Sequence, residues 1–274
     1  MREVGSYEAM RRDNWLPKVD AVFLFVCVML LLLTAAAAGP GGRRRAREAV
    51  CRAYLSRWGA MFERYTSGND GYFNHGWEVG ETDLWMNALR SYYGQEHRLL
   101  LCPEATEVRR SPQEPWSVHS AWFRMTDLPG GGEWPYAGSY SINSWTNRVT
   151  RDRGSRKADW FWKGTQDVDE PSRIPVFADS VWHDAWPRHT DAPAAVPVGG
   201  SWSAAVGEMN HFCIERHGPR VNCLFMDWSV RPIGLKRLWT LKWHRQFDTE
   251  GLWTRAGGVT PADWPGWMRD FKDF

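Results

Sequence analysis

The stretch that most constrains this chain is AVFLFVCVMLLLLTAAAA, residues 21–38, which carries no charged side chain. As a helix, its roughly eighteen residues would rise about 27 Å, enough to reach across a bilayer core. A buried helix of a soluble domain is rarely apolar on every face, so the run reads as a transmembrane stem. The segment behind it has a different pattern. Val50, Tyr54, Trp58, Met61 and Tyr65 recur at helical spacing with Cys51, Leu55 and Phe62 beside them, while Arg43, Arg44, Arg45, Arg47, Glu48, Arg52, Arg57 and Glu63 take the other face. Residues 43–65 therefore predict an amphipathic stalk helix whose apolar stripe needs a surface to cover it, and residues 66–274 must supply that surface as a head. Gly39-Pro40-Gly41-Gly42 is expected to break or kink the junction, because glycine is costly in a helix and proline lacks a donor.

Composition narrows what the head can be. It is long enough for one sizeable core, and one head domain is the expectation. A net charge of +2 gives no global field, which argues against a nucleic-acid partner. Nineteen Trp call for either a Trp-packed core or an aromatic binding surface. Of five cysteines, Cys27 lies in the stem and Cys51, Cys102, Cys213 and Cys223 in the head. Four thiols allow three pairings. Outside the cytoplasm Cys51 could tie to Cys102 and Cys213 to Cys223; the alternative is four buried free thiols. No Cys-x-x-Cys or Cys/His zinc spacing occurs, so no metal set and no cofactor is expected.

Residues 1–20 form a polar leader with Arg11, Arg12 and Lys18 ahead of the run, which favours an N-terminus inside. The basic cluster over 43–52 argues for the reverse orientation, and small residues at 35–38 would also suit cleavage of a secretory signal. Residues 66–73 are dense in turn formers and end the stalk; Asp70 there belongs to a turn rather than a calcium loop. A short helix is expected over 82–93, a strand or loop entry over 98–103, mostly loop over 104–136, strands over 136–149 and 174–182, and an irregular excursion over 187–206. The acidic residues Asp167, Asp169 and Glu170 read as a solvated loop. NHFCIERHGPRVNCLFMDWSV, residues 210–230, holds two β-prone runs around Gly218-Pro219 and predicts a hairpin over 211–230.

Taken together, RAREAVCRAYLSRWGAMFERYTSGNDGYF (residues 45–73), LLLCPEA, GSYSINSW and the hairpin segment resemble the planctomycete-type prepilin-like proteins with an H-X9-DG motif. His217 is followed by nine residues and then Asp227, with Trp228 where the motif has glycine. The resemblance covers most of the chain from residue 43 onward. It implies an α+β, type IV pilin-like or pseudopilin-like fold: a long N-terminal helix, half in the membrane, packed through its second half on an antiparallel β-sheet head. It also implies a single-pass inner-membrane protein with a cytoplasmic N-terminus and a periplasmic or extracytoplasmic head. One departure concerns processing. The boundary RRDNWLPKVDAVFLF lacks the usual leader glycine and membrane-edge glutamate, and Asp20 is a weak substitute for the latter.

His217 and Asp227 invite an acid–base reading, but on two arms of one hairpin they sit too far apart to share a proton. A turn-capping His217 and a sheet-end Asp227 fit better. His183 and His244, beside Trp182 and Trp243, suggest halves of an aromatic site. No nucleophile motif or phosphate loop is present. The leading expectation is a non-catalytic component of a bacterial type II secretion-like or surface-assembly system, with the bilayer and other pilin-like subunits as partners. The alternatives are an extracytoplasmic Trp-rich glycan-binding module and a hydrolase using His217 and Asp227.

Overall fold

The computed structural model describes residues 16–109, 116–166, 168–197 and 207–272, with side chains described outside 16–19 and 34–38. The chain divides into two compact units, residues 1–46 and 47–274.

In the first unit, α1 (Leu16–Ala38) ends before Gly39; α2 (Pro40–Ser67) starts on Pro40 and belongs to the second unit from Arg47 onward. Proline suits a first helical turn, where its missing N–H has no partner to lose, so the Gly-Pro step separates two helices as its chemistry predicts. Phe23, Leu24 and Leu33 of α1 are each more than half exposed. Among the described residues no helix is long and apolar enough to cross a membrane. The leader expected over 1–20 lies outside the described residues as far as residue 15.

The second unit is mixed α+β. Two one-turn helices, α3 (Trp85–Ala88) and α4 (Arg90–Tyr93), occupy the segment where one short helix was expected. A small sheet joins β1 (Glu107–Val108), β2 (Ser120–Asp127) and β3 (Glu133–Gly138) in that order, with β2 and β3 antiparallel. The main sheet comprises β4 (Tyr140–Asn143), β5 (Pro175–Asp179), β6 (Asp184–Ala185), β7 (Arg220–Phe225) and β8 (Val230–Gly234), ordered β6-β4-β5-β7-β8. Only the β4–β6 pair is parallel within it.

Strand β7 shows how the sequence places the core. Successive side chains of a strand point to opposite faces. Val221, Cys223 and Phe225 join a cluster with Trp145, Phe212 and Trp243, whereas Leu224 joins another with Trp58, Phe62 and Phe177. The strand is thus covered on both faces. Among the described residues eight Trp are buried, so the indoles serve the core first.

Helix α2 covers one face of the sheet. Cys51, Leu55, Trp58, Met61 and Phe62 are buried, while Val50 is 40% exposed. The contact face is therefore centred on 51, 55, 58 and 62, turned slightly from the stripe through 50, 54 and 65. Trp58 and Phe62 pack on Phe177 of β5 with ring centroids 5.4 and 5.5 Å apart. Gly59 sets the approach to β7: a Cβ there would lie 2.9 Å from Leu224 Cδ1. The helix ends in the expected turn, with Asp70 at φ 54° and the Gly71 N–H donating to the Thr66 carbonyl at 2.8 Å.

Several sequence expectations need correction. The hairpin does not span 211–230: Glu208–His211 forms a 3-10 turn, and the paired arms are β7 and β8, from Arg220↔Gly234 to Leu224↔Val230. Gly218 does adopt φ 75°, but it leads into the first arm instead of joining two arms. The reversal lies at 226–228, where the Trp228 N–H donates to Phe225 O and Phe225 N–H to Ser229 O, both at 2.9 Å. The expectation of mostly loop over 104–136 missed the β2–β3 hairpin, whose turn is formed by the glycines at 130–132, all at positive φ. Of the two readings of 98–103, the strand does not form: His97–Leu100 is a 3-10 turn, compatible with a loop entry. The excursion over 187–206 lies partly outside the described residues.

Candidate metal centre and a tryptophan-lined cleft

Four segments far apart in sequence deliver one polar cluster to the interior. Cys51 comes from α2, Cys102 from the chain after the 97–100 turn, Asp179 from the end of β5 and His217 from the loop before β7. Their ligand-type atoms all lie within 4.8 Å of one another. Each residue is at most 2% exposed. Cys51 Sγ is 3.4 Å from both Asp179 carboxylate oxygens, His217 Nε2 is 3.2 Å from Asp179 Oδ2, and Cys102 Sγ is 3.3 Å from the same His217 nitrogen. Tyr140 and Asn222 donate to Cys51 Sγ, each at 3.3 Å, and the Asn222 N–H donates to Asp179 Oδ2 at 3.2 Å.

Arg216 frames this cluster. Fully buried, it donates to the carbonyls of Val118, Ser139, Ser180 and Ser120 at 2.7 to 3.0 Å, and its Nη1 lies 3.8 Å from Asp179 Oδ1. Burial alone would raise the Asp179 carboxyl, but His217 and Arg216 outweigh it and hold the group below its usual value. Burial would lower His217, but the Asp179 charge and hydrogen bond push it up. The two thiols diverge: burial, with Cys102 and Asp179 adding to it, drives Cys51 well up, whereas at Cys102 the hydrogen bonds from Cys51 and His217 overcome burial and bring it down.

The arrangement is not a nucleophilic triad. A catalytic imidazole uses one nitrogen for the nucleophile and the other for the carboxylate. Here both Cys102 and Asp179 face Nε2, and Nδ1 is buried without a hydrogen-bond partner among the described residues. Nor does Asp227 complete it: exposed in the β7–β8 turn, its Oδ1 accepts from the N–H and hydroxyl of Ser229 at 3.0 and 2.6 Å. The roles expected of the motif pair are thus exchanged. Asp227 caps the turn, and His217 is buried in the interior.

All five cysteines are free thiols. Cys51 and Cys102 do meet, as the first proposed pairing required. Cys213 and Cys223 are fully buried, and the Cys213 thiol faces Met268 Sδ at 3.9 Å. The premise of the second pairing fails, because Cys213 lies outside the hairpin. No local spacing in the sequence marks these four side chains, which converge only through the tertiary fold.

No protein-family model, curated protein or solved structure matches this chain. Its chemistry is therefore read from its own residues, and a second location has features of a binding site. A cleft of about 420 Å³ is lined by Trp77, Trp182 and Trp186, all half-buried, together with Arg124, Arg156 and Glu208. His183, Asp184 and His211 form its buried wall. Trp77 donates to Asp184, Arg124 pairs with Glu81, and the Arg156 guanidinium lies 3.7 Å from the Trp186 ring centroid. His183 Nδ1 sits 3.0 Å from Asp184 Oδ1 but outside hydrogen-bonding geometry, and burial drives His183 well down, so the pair is not ionic. His244 is elsewhere, stacked on Trp160 at 5.0 Å, so the two histidines singled out in the sequence do not share a site.

Burial also pushes the Asp184 carboxyl up to about 6, against the Trp77 hydrogen bond and the nearby arginines. An acid held above its unfolded value keeps its proton longer in the folded state, so its contribution to stability falls as pH rises from about 4 through 6. Asp184→Asn removes that loss. Relative to wild type, the variant should gain about 3 kcal/mol between about pH 4 and pH 7, read as the difference between urea unfolding free energies. A pH-independent difference would mean that Asp184 ionises normally.

Proposed function

We propose that the chain is a membrane-anchored, non-catalytic, pilin-like or pseudopilin-like component of a bacterial secretion or surface-assembly system. Residues 21–38 would lie in the inner membrane with the leader in the cytoplasm and the head outside. The observation that carries this reading is the burial of one face of α2, at Cys51, Leu55, Trp58 and Phe62, beneath β5 and β7 of an antiparallel-rich sheet. A charge-free run ahead of such a helix is the sequence counterpart of an anchor. Alkaline carbonate washing of membranes from expressing cells should leave the full-length chain in the pellet. A head recovered only in the soluble fraction would overturn the anchor.

A second reading is favoured by the cleft. Three indoles around one opening, with arginine and carboxylate side chains between them, suit stacking on sugar faces combined with hydrogen bonding to hydroxyls. On this reading the head also binds glycan. Trp182→Ala should weaken binding of a soluble oligosaccharide by about tenfold or more, measured by quenching of intrinsic fluorescence. A panel of neutral and acidic oligosaccharides that leaves wild-type fluorescence unchanged would count against it.

A further inference from the structure

We infer that Cys51, Cys102, Asp179 and His217 bind one divalent ion of the zinc class in a closed, structural site. The argument is independent of the membrane reading and rests on how the four donors meet. Each side chain offers a metal-competent atom, and the two closest approaches of His217, to Cys102 and to Asp179, use one and the same nitrogen. A single ring N–H makes one well-aligned hydrogen bond, so pairing alone accounts for one of these two approaches. Groups directed at a shared centre crowd onto one nitrogen.

The spacing agrees with this. Zn–S bonds of about 2.3 Å and Zn–N or Zn–O bonds of about 2.0–2.2 Å in a tetrahedron put donors roughly 3.2–3.8 Å apart. Three of the six donor pairs fall in that range, 3.2 Å for His217 to Asp179, 3.3 Å for Cys102 to His217 and 3.4 Å for Cys51 to Asp179, and all six lie within 4.8 Å. Charge agrees as well. Two thiolates and a carboxylate carry three negative charges, which a divalent ion and the Arg216 guanidinium balance, leaving the buried site neutral. Arg216 stays outside the ligand set, held by four carbonyls. Outer groups support two of the four ligands: Tyr140 and Asn222 donate to the Cys51 sulfur, and the Asn222 N–H donates to Asp179, while His217 Nδ1 has no partner among the described residues. With four protein ligands and none of them accessible, no position is left for substrate or water, so the role is to join α2, β5 and two loops.

The competing chemistry is a Cys51–Cys102 disulfide, and one experiment separates the two. The full chain, purified anaerobically in detergent without chelator, should carry roughly one zinc per chain by inductively coupled plasma mass spectrometry. Exchange into cobalt should give tetrahedral ligand-field bands with thiolate-to-cobalt charge transfer. Cys102→Ser should abolish the charge-transfer intensity contributed by that sulfur, while Cys213→Ser, equally buried but outside the cluster, should retain the full spectrum. If Cys102→Ser does not fold, the wild-type cobalt spectrum alone decides, because bands without thiolate charge transfer overturn the assignment. Metal-free folded chain, or a Cys51–Cys102 disulfide mapped in chain isolated from its native compartment, also overturns it.

Discussion

Replacing Arg216 with methionine is expected to destabilise the head by about 5 kcal/mol, the largest single-residue effect outside the aromatic core. The side chain is 1% exposed and donates to four carbonyls from three places in the chain: Val118 and Ser120, Ser139, and Ser180. Methionine fills similar volume but donates nothing, so the carbonyls of Val118, Ser120 and Ser180 lose the Arg216 donor, Ser139 keeps only the Ser180 N–H at 2.8 Å, and Asp179 loses the guanidinium 3.8 Å away. Each unsatisfied buried acceptor costs about 1–3 kcal/mol, and partial relaxation keeps the total below the sum. Equilibrium urea unfolding of the full chain in detergent, followed by far-UV circular dichroism, measures the loss. Lysine at the same position should recover only part of it, since an ammonium has three donors and no planar fork. Full stability in the methionine variant would show that these carbonyls are readily solvated.

Trp58→Ala should cost about 4 kcal/mol, the usual scale for emptying a large buried aromatic site. Trp58 has no exposed surface, its ring meets Trp85 edge-on at 5.2 Å and Phe177 at 5.4 Å, and its indole N–H donates to the Leu99 carbonyl at 2.7 Å. Trp58→Phe separates the two contributions. It keeps most of the ring contact and loses the donor, so a deficit of about 1–2 kcal/mol is expected. The same unfolding curves provide the test, and equal losses in both variants would assign the effect to the hydrogen bond instead of the ring.

How far the sequence reaches depends on the range over which each feature is specified. The helix over 43–65 was legible because its pattern is local, and the structure places a helix there with that stripe rotated by a fraction of a turn. Strand β5 was legible for the same reason, as a short apolar run between turn formers. The β7–β8 hairpin was found one arm out of place. Phe212 and Ile214 look like strand residues by alternation, but both are buried in a turn-rich segment, Phe212 against Trp243, where tertiary packing overrides period. The β2–β3 hairpin was hidden by its own glycines, which read as loop but form a turn. The buried centre was the least legible. Cys102, Asp179 and His217 are separated by tens of residues, and no local spacing announces donors that only the sheet and helix bring together. The meeting of Cys51 with Cys102 was the one part in view.

Trp228 links motif and backbone. It stands where the H-X9-DG pattern that the sequence resembles has glycine, and it adopts φ 62°, the left-handed region that a bulky side chain avoids. The three-residue loop after a type I turn requires that conformation, so the glycine of the motif has a steric reason, and tryptophan keeps the turn at some strain. Its ring lies 6.4 Å from that of Phe73, a contact glycine could not make.

The missing side chain at Gly59 bears on mechanics. Where α2 rests on Leu224 there is no slack: moving the helix along its axis by a single residue would bring Trp58 or Ala60 to the point of contact. Tension applied along this helix would be resisted by every buried ring of its inner face at once, as a shear load. The helix should therefore yield abruptly at a threshold force, without creeping out of its seat turn by turn.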